Sequence, residues 1–262
     1  MLSIKEIKAI FDETPVAGLE SKINEFINDE RSGVIKIVES AKKRIIKHEN
    51  EIKRLDEMLF FEKKYRPDCK LICGIDEAGR GPFAGPVVAG AVILPVDILE
   101  KLDDPDGMHI EGLNDSKKVN PKRREELYDE IIEKAVAYGV GISSPARIDE
   151  INILQATYEA MKRAIEDLGT VPDMLLNDAV TIPEVHIRQV GIVKGDARSL
   201  SIAAASIIAK VTRDRMMIDY AEVYPEYGFE KNKGYGSAEH IKALKEHGPC
   251  PIHRQSFIHS YV

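Results

Sequence analysis

Two apolar runs, LICGID at 71–76 and VVAGAVIL at 87–94, are separated by the glycine- and proline-rich stretch EAGRGPFAGP. Short apolar runs bounded in this way read as buried strands joined by an irregular turn, so the chain must build a sheet around this pair. Neither run is a membrane span, because VVAGAVILPV at 87–96 has about half of the roughly 18 apolar residues that a span needs. The downstream pattern extends the sheet and covers it. Asn120 before Pro121 supplies a cap and a first-turn proline, which predicts a helix through about Val136. A strand at about 138–143 and a helix at about 147–168 follow, the latter carrying Ile148, Ile151, Leu154, Tyr158, Met161 and Ile165. MLLND at 174–178 and HIRQVGIV at 186–193 read as further strands, and an alanine-rich helix suited to close packing on a sheet spans about 199–224. The expected class is α/β, a mixed sheet flanked by helices.

Residues 1–66 differ in character, with one proline (Pro15), two glycines (Gly18 and Gly33) and many Lys and Glu. Ser3 caps a helix with Ile4, Ile7 and Phe11 on one face; Leu19, Ile23, Phe26 and Ile27 mark a second; and the apolar series from Val34 to Leu59 marks a third, ended by Pro67. The expectation is a small helical domain at 1–66 before a larger domain at 67–262, and 262 residues at 44% hydrophobic suffice for both cores. Between 36 and 66, ten Lys/Arg face six Asp/Glu. A solvated helix face explains such an excess as readily as contact with a phosphate backbone. The net charge of −7 weighs against a polyanion partner, but carboxylates that hold divalent cations count as negative in the sequence and turn locally positive once loaded. The first residues, MLSIKEIKAIFDE, are charged throughout and lack the pattern of a secretory signal, so a cytoplasmic location with no membrane association is expected. Three cysteines, Cys69, Cys73 and Cys250, agree with a reducing compartment. A zinc site from these three and His253 lacks the usual paired spacing and is disfavoured.

Asp76 and Glu77 stand where an apolar strand stops. Adjacent strand residues point to opposite faces, so the two carboxylates share a site only if the strand breaks there, and Gly79 and Gly81 around Arg80 offer the freedom for such a break. Asp178 ends the MLL strand and Asp196 precedes the long helix, where a plain helix cap is the competing explanation. Four acids at element ends of one sheet suit a site at the edge of an open α/β fold, and their repulsion calls for one or two Mg²⁺ or Mn²⁺ ions bound through oxygen. The spacing argues against a phosphate loop, because GRGPFAG lacks the Lys-Ser/Thr pair and leads into a strand. Lys210 and Arg213 on the long helix are open between phosphate contact and surface ion pairs, and His240, His247, His253 and His259 read as structural or phosphate-adjacent.

GIDEAGRGPFAGPVVAGAVIL, LNDSKKV, KGDARSLSIAAASIIAKVTRD, NKGYGSAEH and HRQSF, in this order over about 70–258, closely resemble type 2 ribonuclease H, the ribonuclease HII family of bacteria. The resemblance implies a ribonuclease H-like fold and an endonuclease that hydrolyses the RNA strand of RNA/DNA hybrids. It also implies cutting 5′ of a single ribonucleotide embedded in duplex DNA, by two-metal-ion catalysis, leaving 3′-hydroxyl and 5′-phosphate ends, a role in ribonucleotide removal. Its metal-binding acids fall on Asp76, Glu77, Asp178 and Asp196, and its junction-reading residues on Gly79, Arg80, Gly81 and Tyr235, with Lys117 as a phosphate contact. LLNDAV departs from the family pattern, in which an apolar residue precedes the aspartate and a glycine follows it. A monomer is expected, with protein partners unspecified, and 1–66 is expected to aid duplex binding.

Overall fold

The computed structural model describes residues 2–98, 108 and 110–261. Helices α1 (Ile4–Glu13), α2 (Val16–Phe26), α3 (Ser32–Met58) and α4 (Phe60–Tyr65) precede strands β1 (Ile72–Ala78) and β2 (Val87–Ile93). Then come α5 (Pro121–Lys134), β3 (Ala137–Ser143), α6 (Pro145–Asp167), β4 (Met174–Asp178), β5 (Arg188–Ile192) and α7 (Leu200–Val223). Short helices α8 (Phe229–Asn232), α9 (Ala238–His247) and α10 (Gln255–Ile258) complete the chain. Polar side chains set the starts. Ser3 and Glu6 form a reciprocal capping box on α1, Asn120 and Ser144 cap α5 and α6 ahead of a proline, and Ser199 caps α7.

The five strands form one mixed sheet in the order β3-β2-β1-β4-β5. β1 runs antiparallel to β2 and β2 to β3, whereas β1, β4 and β5 are parallel. Helix α7 lies on β1 and β2, and α6 lies on β2 and β3 from the opposite face. The approach of α7 is close enough that a Cβ on Gly74 would sit 2.0 Å from the Ser201 carbonyl carbon. Only glycine at that point of β1 lets the start of α7 reach the sheet.

Helices α1, α2 and the first part of α3 enclose a small core of Ile7, Phe11, Leu19, Ile23, Val34, Val38 and Ala41. The far end of α3 belongs elsewhere. Leu55, Met58 and Leu59 are buried with residues of α5 and α7 in the core beside the sheet. Among the described residues, no helix is long and apolar enough to cross a membrane.

Candidate active site

Parallel pairing brings two of the acids together. The last register pair between β1 and β4 is Ile75 with Asn177, so Asp76 and Asp178 are the next residue on each of two neighbouring strands. Contrary to the expectation, β1 does not break at Glu77. Pairing with β2 holds the chain extended through Ala78, opposite Val88, and the turn comes at Gly79, whose φ of +95° an L side chain rarely adopts. Asp76 and Glu77 instead share a site because both stand at the mouth of the sheet. A cavity of about 480 Å³ there is lined by all nine residues singled out in the sequence: Asp76, Glu77, Asp178, Asp196, Gly79, Arg80, Gly81, Lys117 and Tyr235.

The bland account of Asp196 fails on geometry. It lies in a 3-10 turn, Gly195–Ala197, and the cap of α7 is Ser199, whose hydroxyl accepts the Ile202 amide at 3.3 Å. Asp178 is tied to the same turn, accepting the Gly195 amide on Oδ1 at 2.7 Å. Its unusual flanks also have a structural account. Asn177 is buried and donates to Gln189 Oε1 at 2.9 Å and to the Val180 carbonyl at 3.2 Å, while Ala179 turns the chain with φ of +55°.

Charge is concentrated at this mouth. Burial pushes the Asp76 carboxyl well above its usual range, and Glu77, Asp178 and Asp196 push it further. Burial also raises Glu77, against the pull of Arg80, whose Nη1 lies 3.2 Å from Glu77 Oε1, and of Lys117. Asp196 is raised by burial, Asp115 and Asp178, with Lys117 opposing. Glu77 Oε2 is buried with no hydrogen-bond partner among the described residues. Mutually repelling carboxylates with an orphaned oxygen are the donor set that a hard divalent cation satisfies, so the residues fit such an ion. Among the described residues no three His, Cys, Asp or Glu side chains are drawn into a closed metal cage. Like charges at a mouth spread apart, and the fit rests on the donors facing one cavity.

Two arginines, Arg213 and Arg254, the second of which local pattern did not single out, hold the turn carrying Arg80. Arg213 is neither a phosphate contact nor a surface ion pair: it is 1% exposed and donates to the carbonyls of Pro86, Ala84 and Lys233. Fully buried Arg254 donates to the carbonyls of Gly79, Arg80 and Gly85. The 79–86 segment is irregular, so its carbonyls lack sheet partners, and the two guanidiniums supply them. Lys210 lines the cavity and pairs with Asp214 at 2.6 Å. Tyr235 is 46% exposed, so its ring is free to meet a ligand and is not part of a core. Its carbonyl accepts His240 Nδ1–H at 2.9 Å, and His240 Nε2 meets His253 Nε2 at 2.9 Å. Cys250 lies beside His253, but Cys69 and Cys73 are buried in two other cores, so these four residues do not form a zinc site.

Residues 73–260 match the family model described as Ribonuclease HII, and residues 3–66 match the Ribonuclease HII N-terminal domain. The chain is similar to the ribonuclease HII of Lachnoclostridium phytofermentans, 55% identical over 98% of this chain and 97% of that one. The ribonuclease HII of Enterococcus faecalis is 50% identical over 91% of this chain and 89% of that one. Among solved structures, the ribonuclease H2 of Pyrococcus horikoshii superposes with a TM-score of 0.57 at 31% identity, covering 71% of this chain and 92% of that one.

Proposed function

The chain belongs to the ribonuclease HII family, and from that premise we propose that it cuts on the 5′ side of single ribonucleotides embedded in duplex DNA, leaving 3′-hydroxyl and 5′-phosphate ends. As a member of that family it is a metal-dependent ribonuclease H, an endonuclease for the RNA strand of RNA/DNA hybrids. The observation that carries the finer proposal is the meeting of four acids, the 79–81 turn and Tyr235 in one cavity.

Asp76, Glu77, Asp178 and Asp196 would hold Mg²⁺ or Mn²⁺, as two ions in the working site, whose chemistry is to activate water and stabilise the leaving oxygen. The protein supplies the rest. Arg80, drawn toward Glu77, keeps a cation at the edge of the acid cluster, and Lys117 offers a phosphate contact that positions the strand. Gly79 makes the turn and leaves room for Arg213 beneath it, the backbone of Gly81 can approach a ribose without a Cβ in the way, and the exposed Tyr235 ring offers a face to the next sugar. Contact with the 2′-hydroxyl is what separates a ribonucleotide from a deoxyribonucleotide at one position.

The N-terminal region, 1–66, is assigned the supporting role of adding duplex affinity. A cleft of about 950 Å³ between it and the larger unit is lined by Arg54, Lys63, Lys64, Lys118 and Arg198 against Asp56 and Glu57. Phe60 stands on its wall, 59% exposed. Cations around an exposed aromatic suit a nucleic-acid strand. The protein is taken to act as a monomer, and in the cytoplasm, where a reducing compartment suits three free, buried thiols.

The test offers a DNA duplex with one internal ribonucleotide to wild type and to Asp196→Asn, with and without Mg²⁺ or Mn²⁺. Wild type is expected to cut once, 5′ of the ribonucleotide, only with metal. Equal cleavage by both proteins would overturn the proposed site.

A further inference from the structure

Helix α4 places a carboxylate inside the protein at the point where the catalytic turn becomes α7. Glu62 is 2% exposed. Its Oε1 accepts the Ser199 hydroxyl at 2.6 Å and the Ser201 amide at 2.9 Å, while Oε2 is buried without a partner among the described residues. The first amides of a helix have no partner within it, and a side-chain oxygen facing them supplies one. Ser201 is also where α7 presses on Gly74 of β1, two residues before Asp76.

Ser199 passes this anchoring on to the acids. Its own amide donates to the Gly195 carbonyl at 2.8 Å, closing the turn that carries Asp196. The Gly195 amide in turn donates to Asp178 Oδ1 at 2.7 Å. Thus Glu62, Ser199, Gly195 and Asp178 form one connected series of hydrogen bonds, with Asp196 inside its tightest turn. Beside it the Arg198 guanidinium lies 5.3 Å from the centre of the Phe61 ring, a second link from α4 to the same turn.

We propose that Glu62 is a positioning residue for Asp178 and Asp196, so that the N-terminal region shapes the acid cluster as well as adding affinity for the duplex. The proposal rests on those two acids being the working ones. Both hydrogen bonds that Glu62 accepts fall on Oε1, so glutamine, with an oxygen in the same place, retains them. Burial pushes the Glu62 carboxyl up, which makes a neutral group of that shape tolerable.

Full-length Glu62→Ala, Glu62→Gln, Ser199→Ala and Asp196→Asn are compared with wild type after thermal melting has shown which are folded. Two readouts are taken: kcat and KM on an RNA/DNA hybrid, and Mn²⁺ affinity by calorimetry without nucleic acid. Loss of a partner that orients metal-binding side chains lowers metal affinity or activity by about 10- to 100-fold. Glu62→Ala is therefore expected to lose about tenfold in kcat and in Mn²⁺ affinity with KM within about twofold, and Glu62→Gln to keep both near wild type. If Glu62→Ala does not fold, Ser199→Ala carries the same expectation. A folded Glu62→Ala with wild-type kcat and Mn²⁺ affinity would overturn the proposal, as would an equal loss in Glu62→Gln. Asp196→Asn separates the two levels. Wild-type cleavage by Asp196→Asn removes the site assignment itself, whereas an inactive Asp196→Asn beside an unimpaired Glu62→Ala removes only the role of Glu62.

Discussion

Replacing Ala179 by glycine should make the protein more stable. Ala179 follows Asp178 and turns the chain with φ of +55°, and its side chain is exposed. A left-handed backbone brings an alanine Cβ against its own carbonyl at a cost of roughly 1–2 kcal/mol, which glycine escapes. Glycine gives back roughly 0.4–1 kcal/mol through the greater freedom of the unfolded chain. No buried methyl is lost, and the Ala179 amide keeps its bond to the Ile192 carbonyl at 3.0 Å. From the middle of the two ranges the net gain is about 0.8 kcal/mol, which in a domain of this size raises the melting temperature by about 2–3 °C. Urea unfolding of wild type and Ala179→Gly should show a higher midpoint at an unchanged slope, with cleavage of a hybrid retained. A midpoint at or below wild type would refute the claim that Ala179 is held left-handed at a cost.

Asp76→Asn should abolish cleavage and yet melt higher than wild type in EDTA at neutral pH, by on the order of 1 kcal/mol, since it removes a buried charge that three other acids repel. The sign follows from a folded-state carboxyl held above its unfolded value, which penalises folding once pH exceeds the unfolded value; a lower melting temperature would contradict it. His253 acts in the opposite sense: burial and His240 push it down to about 4, and the Cys250 amide already donates to its Nδ1. Its contribution is full above about 6.5, is lost as pH falls from there to about 4, and amounts to about 3 kcal/mol at most. Urea unfolding from pH 7.5 to 4 should therefore show a shallower decline in His253→Gln than in wild type, and parallel declines would refute this. Arg254→Met strips the donors from the Gly79, Arg80 and Gly85 carbonyls and should cost roughly 3 kcal/mol. It should also weaken cutting at a single ribonucleotide more than cutting of a continuous hybrid, and an equal loss on both substrates would count against a role for that turn in reading the junction.

What could be read in the sequence was local. Caps at Ser3 and Asn120, the apolar strands and the alanine-rich helix all report on short stretches of chain, and the elements stand close to where those stretches place them. The end of β1 was misplaced because Glu77 and Ala78 are held extended by β2, which closes the pairing from ten residues further along. Arg213 looked like an exposed cation because nothing in its helix shows that carbonyls at 84 and 86 need a donor. Glu62 was hidden in the same way, as one of six acids in a basic stretch, when it is the one that enters the protein and meets Ser199. That burial changes how the N-terminal region must be tested. Removing 1–66 would strip Leu55, Met58 and Leu59 from the core beside the sheet and Glu62 from the start of α7, so lost affinity in such a deletion would not identify a binding surface. Charge reversal at Lys63 and Lys64 leaves those buried contacts, and the Arg198–Phe61 contact beside Asp196, in place. It should weaken hybrid binding and flatten its salt dependence while kcat is retained, and unchanged binding across salt would remove the cleft from the interface.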